Sequence, residues 1–428
     1  MPPLKAFRFL HLADLHLGYQ QFGSEQRAND MALMLHFAVE RAINQRVDFV
    51  LVAGDLFHKH NISPQLLHQV TELLKPLSAA GIPLLAVIGN HDNPTYADEM
   101  SWLDYLSAHG SLILLDAQTG ADGFKVVLPW DGAIRRGTYI DLHCGARVVG
   151  MRYYGASTAR MLEIYLRDLR SLPHAPYTIL MLHTGLEGMM DAHALSITRS
   201  ALNPFRELTD YVALGHFHKP FIQDDWLYNP GSLETVSSDE TAWPQRGLLQ
   251  VSVEPGEPPV QRVEQVVVPR RPYVRVLVRM DTIYSAQELL DAIDAQLLAE
   301  RLDNRQRPPV VEVTLTGVLQ FDPSQVDEAE LQSHIRERFR ALVVRITNRA
   351  SAEAGEVALP DDLTRSELER HVLTELISRD VQLVEEADAW AALAARMKER
   401  ALAGRPSAEI VDELEAFLAA HPAEADAC

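Results

Sequence analysis

Five times within the first 220 residues, a short apolar stretch runs straight into a cluster of Gly, Asp, Asn and His. This recurrence, more than any other feature, limits what the chain can fold into. The clusters are Asp14-Leu15-His16, Gly54-Asp55 with His58 and His60 close behind, Gly89-Asn90-His91-Asp92, His183-Thr184-Gly185 and Gly215-His216-Phe217-His218. The stretches before them read as β-strands, since they are apolar, short and rich in Val, Ile, Leu and Phe. Candidates are Phe7 to Ala13, Asp48 to Ala53, Pro83 to Ile88, Tyr177 to Leu182 and Tyr211 to Leu214. Further strands are expected at Leu112 to Leu115, Lys125 to Leu128, Arg147 to Met151 and Leu248 to Val253. Between some of them, Ala28 to Asn44 and Ser63 to Ala80 carry helical apolar spacing, the second with Pro64 in its first turn. Strand-rich sequence with helices after only some strands predicts two sheets packed together with helices outside.

Each cluster alone is a weak signal, because a lone His near a strand end is usually structural and Gly-Asp or Asn-His pairs are common in turns. Together they are harder to dismiss. Asp, Asn and His are the oxygen and nitrogen donors that borderline-hard divalent metals prefer. In Asp14-x-His16 and His216-x-His218, residues two apart on extended backbone point the same way, so each pair presents two donors to one site. Three or four donors would serve a single ion. Seven imply two metals with a shared carboxylate, an arrangement suited to in-line phosphoryl displacement by water.

Composition narrows the class further. The two cysteines, Cys144 and Cys428, match no zinc or disulfide spacing, and no apolar run approaches the roughly 18 residues of a membrane span. A cytoplasmic, membrane-free protein is expected. The net charge of −20 weighs against a nucleic-acid partner, but it is unevenly spread. Residues 351–428 carry 7 basic against 18 acidic side chains, whereas residues 270–350 are neutral and all 12 of their cations are arginine. Arginine suits bidentate phosphate contacts, and a solvated Arg-rich surface reads the same composition equally well.

Proline density at 254–259 and 269–272 argues for a boundary near 270. Residues 270–350 then read as β-α-β-α-β: strands at Tyr273 to Met280, Val310 to Thr316 and Leu342 to Thr347, and helices at Ser285 to Glu300 and Asp327 to Phe339. Residues 350–362 are polar and irregular, and the remainder reads as helix. Its last segment carries an apolar stripe, Ile410, Val411, Leu414, Phe417 and Leu418, that needs a covering surface. The expected division is 1–269, 270–350 and 351–428.

The ordered set Asp14-x-His16, Gly54-Asp55, Gly89-Asn90-His91-Asp92, His183 and Gly215-His216-x-His218 resembles the signature of calcineurin-like metallophosphoesterases. The resemblance implies a four-layer α/β/β/α sandwich. It implies that Asp14, His16 and His218 hold one metal and Asn90, His183 and His216 the other, with Asp55 bridging. The catalytic group would be His91, His58 and Asp92, His91 lying beside the scissile phosphate to stabilise its charge or protonate the leaving oxygen.

Within that superfamily the chain is most similar to the SbcD/Mre-eleven family of DNA-repair nuclease subunits. The likeness rests on Phe9-Leu10-His11-Leu12-Ala13-Asp14-Leu15-His16-Leu17-Gly18, on Ala53-Gly54-Asp55-Leu56-Phe57-His58 and on Asn229-Pro230-Gly231-Ser232. Protein phosphatases of the superfamily carry an Asp where His58 stands. The resemblance implies manganese as the metal, though the donors would also accept iron or zinc. It further implies double-strand exonuclease and single-strand endonuclease action on DNA, a DNA-capping module at 270–350, a homodimer through helices of the nuclease domain, and an SbcC or Rad-fifty type ABC ATPase docked on the C-terminal helices. The apolar stripe suits that helix-in-groove role and suits packing on the chain's own domains equally. Thr184 after His183, where Gln is frequent, and Asn229 in place of a common aromatic depart from the pattern. Two rival readings use the same residues: a phosphodiesterase for a small nucleotide or nucleotide-sugar, and a tethering subunit with a vestigial centre.

Overall fold

The computed structural model describes residues 2–94, 100–117, 125–189, 196–300, 307–352, 365–377, 386–403 and 405–420. The expected irregular stretch at 353–362, and Cys428, lie outside these residues. Residues 1–352 form one compact unit and 353–428 a second.

Two six-stranded sheets make up the first part of the larger unit. One runs in the order Val260–Val267, Gly247–Glu254, Phe7–Leu12, Phe49–Val52, Leu84–Ala86, Ile113–Leu114; the other Phe221–Gln223, Leu227–Asn229, Tyr211–Gly215, Tyr177–His183, Ala146–Met151, Tyr139–Asp141. Their alternate side chains explain the layering. Phe7, Phe9, Phe49 and Leu51 meet Val148, Ile179, Met181 and Tyr211 between the sheets. There Phe9 stacks on Phe49 at 5.0 Å and takes the edge of Tyr211 at 5.2 Å. Leu10, Leu12, Val50 and Val52 point the other way, onto the helices Glu25–Asn44 and Pro64–Ala79. On the far side Met151, Leu180, Leu182 and Leu214 are covered by the helix Thr158–Arg170. The architecture is the expected four-layer α/β/β/α sandwich.

Phe7–Leu12, Phe49–Val52 and Leu84–Ala86 are mutually parallel, as are Ala146–Met151, Tyr177–His183 and Tyr211–Gly215. Within each sheet, therefore, the carboxyl ends of strands far apart in sequence lie side by side, which is where open α/β sheets place their functional loops.

Two expectations fail. Lys125 to Leu128 is not a strand; the amides of Val126 and Val127 donate instead to the Asp168 carboxylate, at 2.7 and 3.1 Å. The proline-rich stretch at 254–259 does not end regular structure. It joins two antiparallel strands, Gly247–Glu254 and Val260–Val267, and the latter is an edge of the first sheet, where missing N–H groups cost least.

Residues 273–348 form a three-stranded parallel sheet, Tyr273–Arg279, Val310–Thr316, Val343–Asn348. Two helices, Ala286–Ala299 and Glu328–Phe339, pack on it around Val276, Ile293, Val313 and Ile335. In the smaller unit, helices span Arg365–Ile377, Ala387–Leu402 and Ser407–Ala420. Phe417 of the apolar stripe packs edge-on against Trp390 at 4.8 Å, while Val411 and Leu418 stay half exposed.

Candidate metal centre

The loops after five strands deliver their polar residues to one place. Asp14 and His16 follow Phe7–Leu12, Asp55 follows Phe49–Val52, Asn90 and His91 follow Leu84–Ala86, His183 ends its strand, and His216 and His218 follow Tyr211–Gly215. Backbone bonds lace the loops together: the amides of Leu15 and His16 donate to the Asp55 carbonyl at 2.9 and 3.0 Å.

These loops are strained, and Asp14, His16 and His216 do not lie on the extended backbone expected for the Asp14-x-His16 and His216-x-His218 pairs. Asp14, His16, Asp55 and His216 all have positive φ, of 53°, 48°, 53° and 87°, a region that costs a non-glycine residue of order 1–3 kcal/mol. Strain of this kind persists only where the surroundings over-determine it, and here it falls on four of the seven expected donors. The neighbouring glycines have steric reasons. At Gly54, with φ +87°, a Cβ would lie 2.2 Å from His183 Nδ1; at Gly89 it would lie 2.1 Å from Asp55 Oδ1.

The donor atoms form two groups. Ligand atoms of Asp14, His16 and His218 lie within 4.8 Å of one another, as do those of Asp55, His183 and His216. Asn90 Oδ1 joins the second, 3.0 Å from His183 Nε2 and 2.8 Å from His216 Nδ1. Asp55 reaches both, its Oδ2 being 3.3 Å from His183 Nε2 and 3.8 Å from His16 Nε2.

The chemistry of these contacts suits cations. His183 Nδ1 donates to the Ala53 carbonyl at 2.7 Å, and His218 Nδ1 to Glu240 Oε1 at 2.6 Å. Those bonds assign the proton to Nδ1, so in the neutral rings Nε2 carries a lone pair. The His183 lone pair faces two oxygens, and the His218 lone pair faces His16 Nε2 at 3.2 Å. Acceptors set against acceptors repel unless a proton or a metal ion lies among them. Burial works against protonated His183 and His218, but their surroundings, Asp55 foremost for the first and Glu240 for the second, together push each up to about 9. Burial pushes Asp14 up to about 6, whereas for Asp55 burial is overcome by His183 together with His16 and His91, which hold it well below the usual carboxylate range. The donors fit two divalent ions.

Protons and metal therefore compete for the same lone pairs. Without metal, stability drawn from His183 and His218 is fully present below pH 6.5 and lost as pH rises through about 9. Metal affinity should rise over the same range. At pH 7.5, metal uptake should release protons from these two rings, so the calorimetric heat should scale with the buffer's ionisation enthalpy. A heat that does not vary with buffer would contradict this assignment.

Beside the donors stand the other expected residues. His91 donates its backbone N–H to Asp55 Oδ1 at 2.9 Å, and its Nδ1 lies 2.8 Å from the His58 carbonyl. His58 Nδ1 is 3.3 Å from His16 Nδ1, and its ring stacks over His91 at 5.2 Å. His60 is exposed and bonds the Asn93 carbonyl, apart from the two groups. Asp92 is differently placed from the rest of the expected catalytic group. Its carboxylate accepts the amides of Leu56, Phe57 and Gly89 at 3.1, 2.9 and 3.1 Å. Burial pushes it up to about 7, and its contacts clamp the loop of Asp55 to the loop of Asn90.

Three residues at the centre escaped the sequence reading. Glu240 holds His218; the signal for it was Ser237-x-x-Glu240, a helix-capping pattern that the structure realises. Tyr19 covers His58 at 3.9 Å between ring centroids, and Tyr153 lies 5.3 Å from His216. Neither tyrosine stands in a recognisable motif. Asn229 and Ser232 lie behind the candidate donors: Asn229 Nδ2 donates to the carbonyls of Phe217 and Lys219, and the Ser232 hydroxyl donates to Glu240 at 2.7 Å.

Known proteins resemble the chain in sequence. DNA double-strand break repair protein Mre11 of Aeropyrum pernix is 32% identical over 292 residues, 65% of this chain and 66% of that protein. The protein of the same name from Archaeoglobus fulgidus is 29% identical over 241 residues, 55% of this chain and 52% of that one. For Thermoplasma acidophilum the match is 23% over 340 residues, 77% and 82%. The chain thus spans between half and two thirds of the length of the first two relatives. The calcineurin-like phosphoesterase family matches residues 7–220, half of the chain. Every donor described above falls inside that match, and the chain belongs to the calcineurin-like phosphoesterase family.

Proposed function

We propose that the chain is a two-metal nuclease that hydrolyses DNA phosphodiesters in double-strand break processing, cutting duplex ends as an exonuclease and single strands as an endonuclease. The observation that carries the reading is Asp55 Oδ2, within 3.8 Å of a ligand nitrogen in each donor group, with His91 and His58 alongside. Asp14, His16 and His218 would hold one ion and Asn90, His183 and His216 the other, with Asp55 between them. Two divalent ions bound there supply Lewis acidity toward the phosphoryl oxygens and make water a competent nucleophile at neutral pH. The protein's own groups do the rest. Glu240 and the Ala53 carbonyl fix the tautomers of His218 and His183, and the Asp92 clamp fixes the spacing of Asp55 and Asn90. With Nδ1 donating to the His58 carbonyl, His91 offers Nε2 to the substrate, to steady charge on the phosphoryl group or to pass a proton to the leaving oxygen.

Similarity to repair proteins named for double-strand breaks supports DNA as the substrate. The resemblance of the motifs supports manganese, a homodimer, cytoplasmic location and an SbcC or Rad50-type ATPase on the helices of 351–428, with residues 270–350 capping the DNA. Among the described residues no helix is long and apolar enough to cross a membrane.

The test is digestion of end-labelled linear DNA with Mn²⁺, with Mg²⁺ and with chelator. We expect Mn²⁺-dependent degradation that chelator abolishes. Cleavage of a chromogenic phosphodiester with DNA left intact, even with the ATPase present, would overturn the assignment in favour of a small-substrate phosphodiesterase.

A further inference from the structure

Behind His218 runs a chain of buried charges that the chemistry above leaves unexplained. Glu240 is 1% exposed. Its Oε1 accepts from His218 Nδ1 at 2.6 Å and from the Ser237 amide at 3.0 Å; its Oε2 accepts from the Ser232 hydroxyl at 2.7 Å and the Val236 amide at 3.1 Å. Arg246 Nε lies 3.3 Å from Oε2, and the same guanidinium donates to the Thr235 hydroxyl. The Thr235 carbonyl accepts from Arg27 at 2.8 Å. Arg27 in turn pairs with Glu234 at 3.2 Å and Asp30 at 2.7 Å. Arg271 grips Asp30 with two nitrogens, at 2.6 and 2.8 Å, and donates its amide to Glu234 at 3.2 Å. Arg271 opens the segment that leads into the three-stranded sheet, and its guanidinium also bonds the Pro308 carbonyl, just before the sheet's second strand, at 2.7 Å.

Three cations and three anions, none more than 5% exposed, are thus joined end to end from a metal donor to the adjoining module. Taking that many charges out of water costs several kcal/mol per ion, and apolar side chains would fill the space at no loss of stability. What such side chains would not do is fix the 234–240 segment in one register. Each contact along it is directional, and the segment carries both Glu240 and the amides that hold it.

We propose that Glu240 is a positioning residue for His218, and that the ion network behind it makes occupancy of the His218 metal position and docking of the module beginning at Arg271 interdependent. The inference rests on the two-metal reading. If Arg271 leaves, Asp30 loses the grip of its two nitrogens and Glu234 loses its amide, which loosens the Arg27 guanidinium held between these two anions and, through the Thr235 carbonyl, the segment that orients the His218 ring. Binding of metal should hold the module by the same route, since coupling between sites is reciprocal.

The experiment is calorimetric titration of the full chain with Mn²⁺, for the wild type, Glu240→Gln and Asp30→Asn, with hydrogen exchange of peptides spanning 269–280. In Glu240→Gln, which loses the charge and one of the two acceptor oxygens that Glu240 uses, one of two Mn²⁺ sites should weaken about 10- to 100-fold, the range for mutating a ligand's outer hydrogen-bond partner, and the other should stay within about twofold. Asp30→Asn, which touches no donor, should weaken the same site about fivefold or more. Mn²⁺ should slow exchange at 269–280 in the wild type but not in Glu240→Gln. Two wild-type sites with unchanged affinities in both variants, or equal weakening of both sites, would overturn the inference alone. Fewer than two Mn²⁺ in the wild type would overturn the two-metal reading and this inference with it.

Discussion

Replacing Asp55 by asparagine is expected to empty both donor groups at once and to lower phosphodiester cleavage by about a thousandfold or more, since the ions supply several kcal/mol of transition-state stabilisation. The geometry gives the reason. Oδ2 lies 3.3 Å from His183 Nε2 and 3.8 Å from His16 Nε2, while Oδ1 takes the amide of His91. An amide in its place keeps the volume and can keep the bond to His91, but brings no charge to either group. The first group would be left with Asp14 alone as an anion, and the second with none. Metal analysis should fall from two ions per chain to well below one, with the circular dichroism spectrum unchanged. Two tightly bound ions in the variant would sink the shared-carboxylate arrangement whatever the activity.

The sandwich was legible because its strands are buried on both faces. Phe49–Val52 and Tyr177–His183 are fully buried, and such strands read as unbroken apolar runs. Edges were harder to read. Val260–Val267 alternates exposed and half-buried residues beside a proline cluster, and proline is tolerated at an edge while it forbids a central strand. The false strand at Lys125 to Leu128 failed for another reason. Its amides found the Asp168 carboxylate, a partner 41 and 42 residues on that no local pattern announces.

That the candidate donors would converge was legible because metal chemistry favours a few residue types placed just after strands. Their supports were not, since any carboxylate or carbonyl can orient a histidine. Glu240 lies outside the 7–220 match and reads locally as a capping residue; only the fold reveals that it also holds His218. Asp92 shows the converse. It sits inside the most informative motif, yet its oxygens are spent on three backbone amides. A motif names the residues a site needs without separating those that meet the substrate from those that keep the loops in place.

That separation makes His91→Ala the more informative of the two large effects. His91 meets the centre through its backbone amide to Asp55 and its ring Nδ1 to the His58 carbonyl; it belongs to neither of the two donor groups, although its ring lies within 4.8 Å of ligand atoms of His16 and His58. Alanine keeps the amide. Both ions should therefore bind as in the wild type, while DNA cleavage falls about 10²- to 10⁴-fold, the range for losing a positioned general acid or base. The leaving group then distinguishes its two possible roles. A nitrophenolate departs without a proton, so if His91 protonates the leaving oxygen, the loss on a nitrophenyl diester should be far smaller than on DNA. If His91 only steadies charge on the phosphoryl oxygens, both substrates should lose alike. Full activity on DNA with two ions bound would remove His91 from the mechanism and leave His58, whose ring stacks on it, as the group to test.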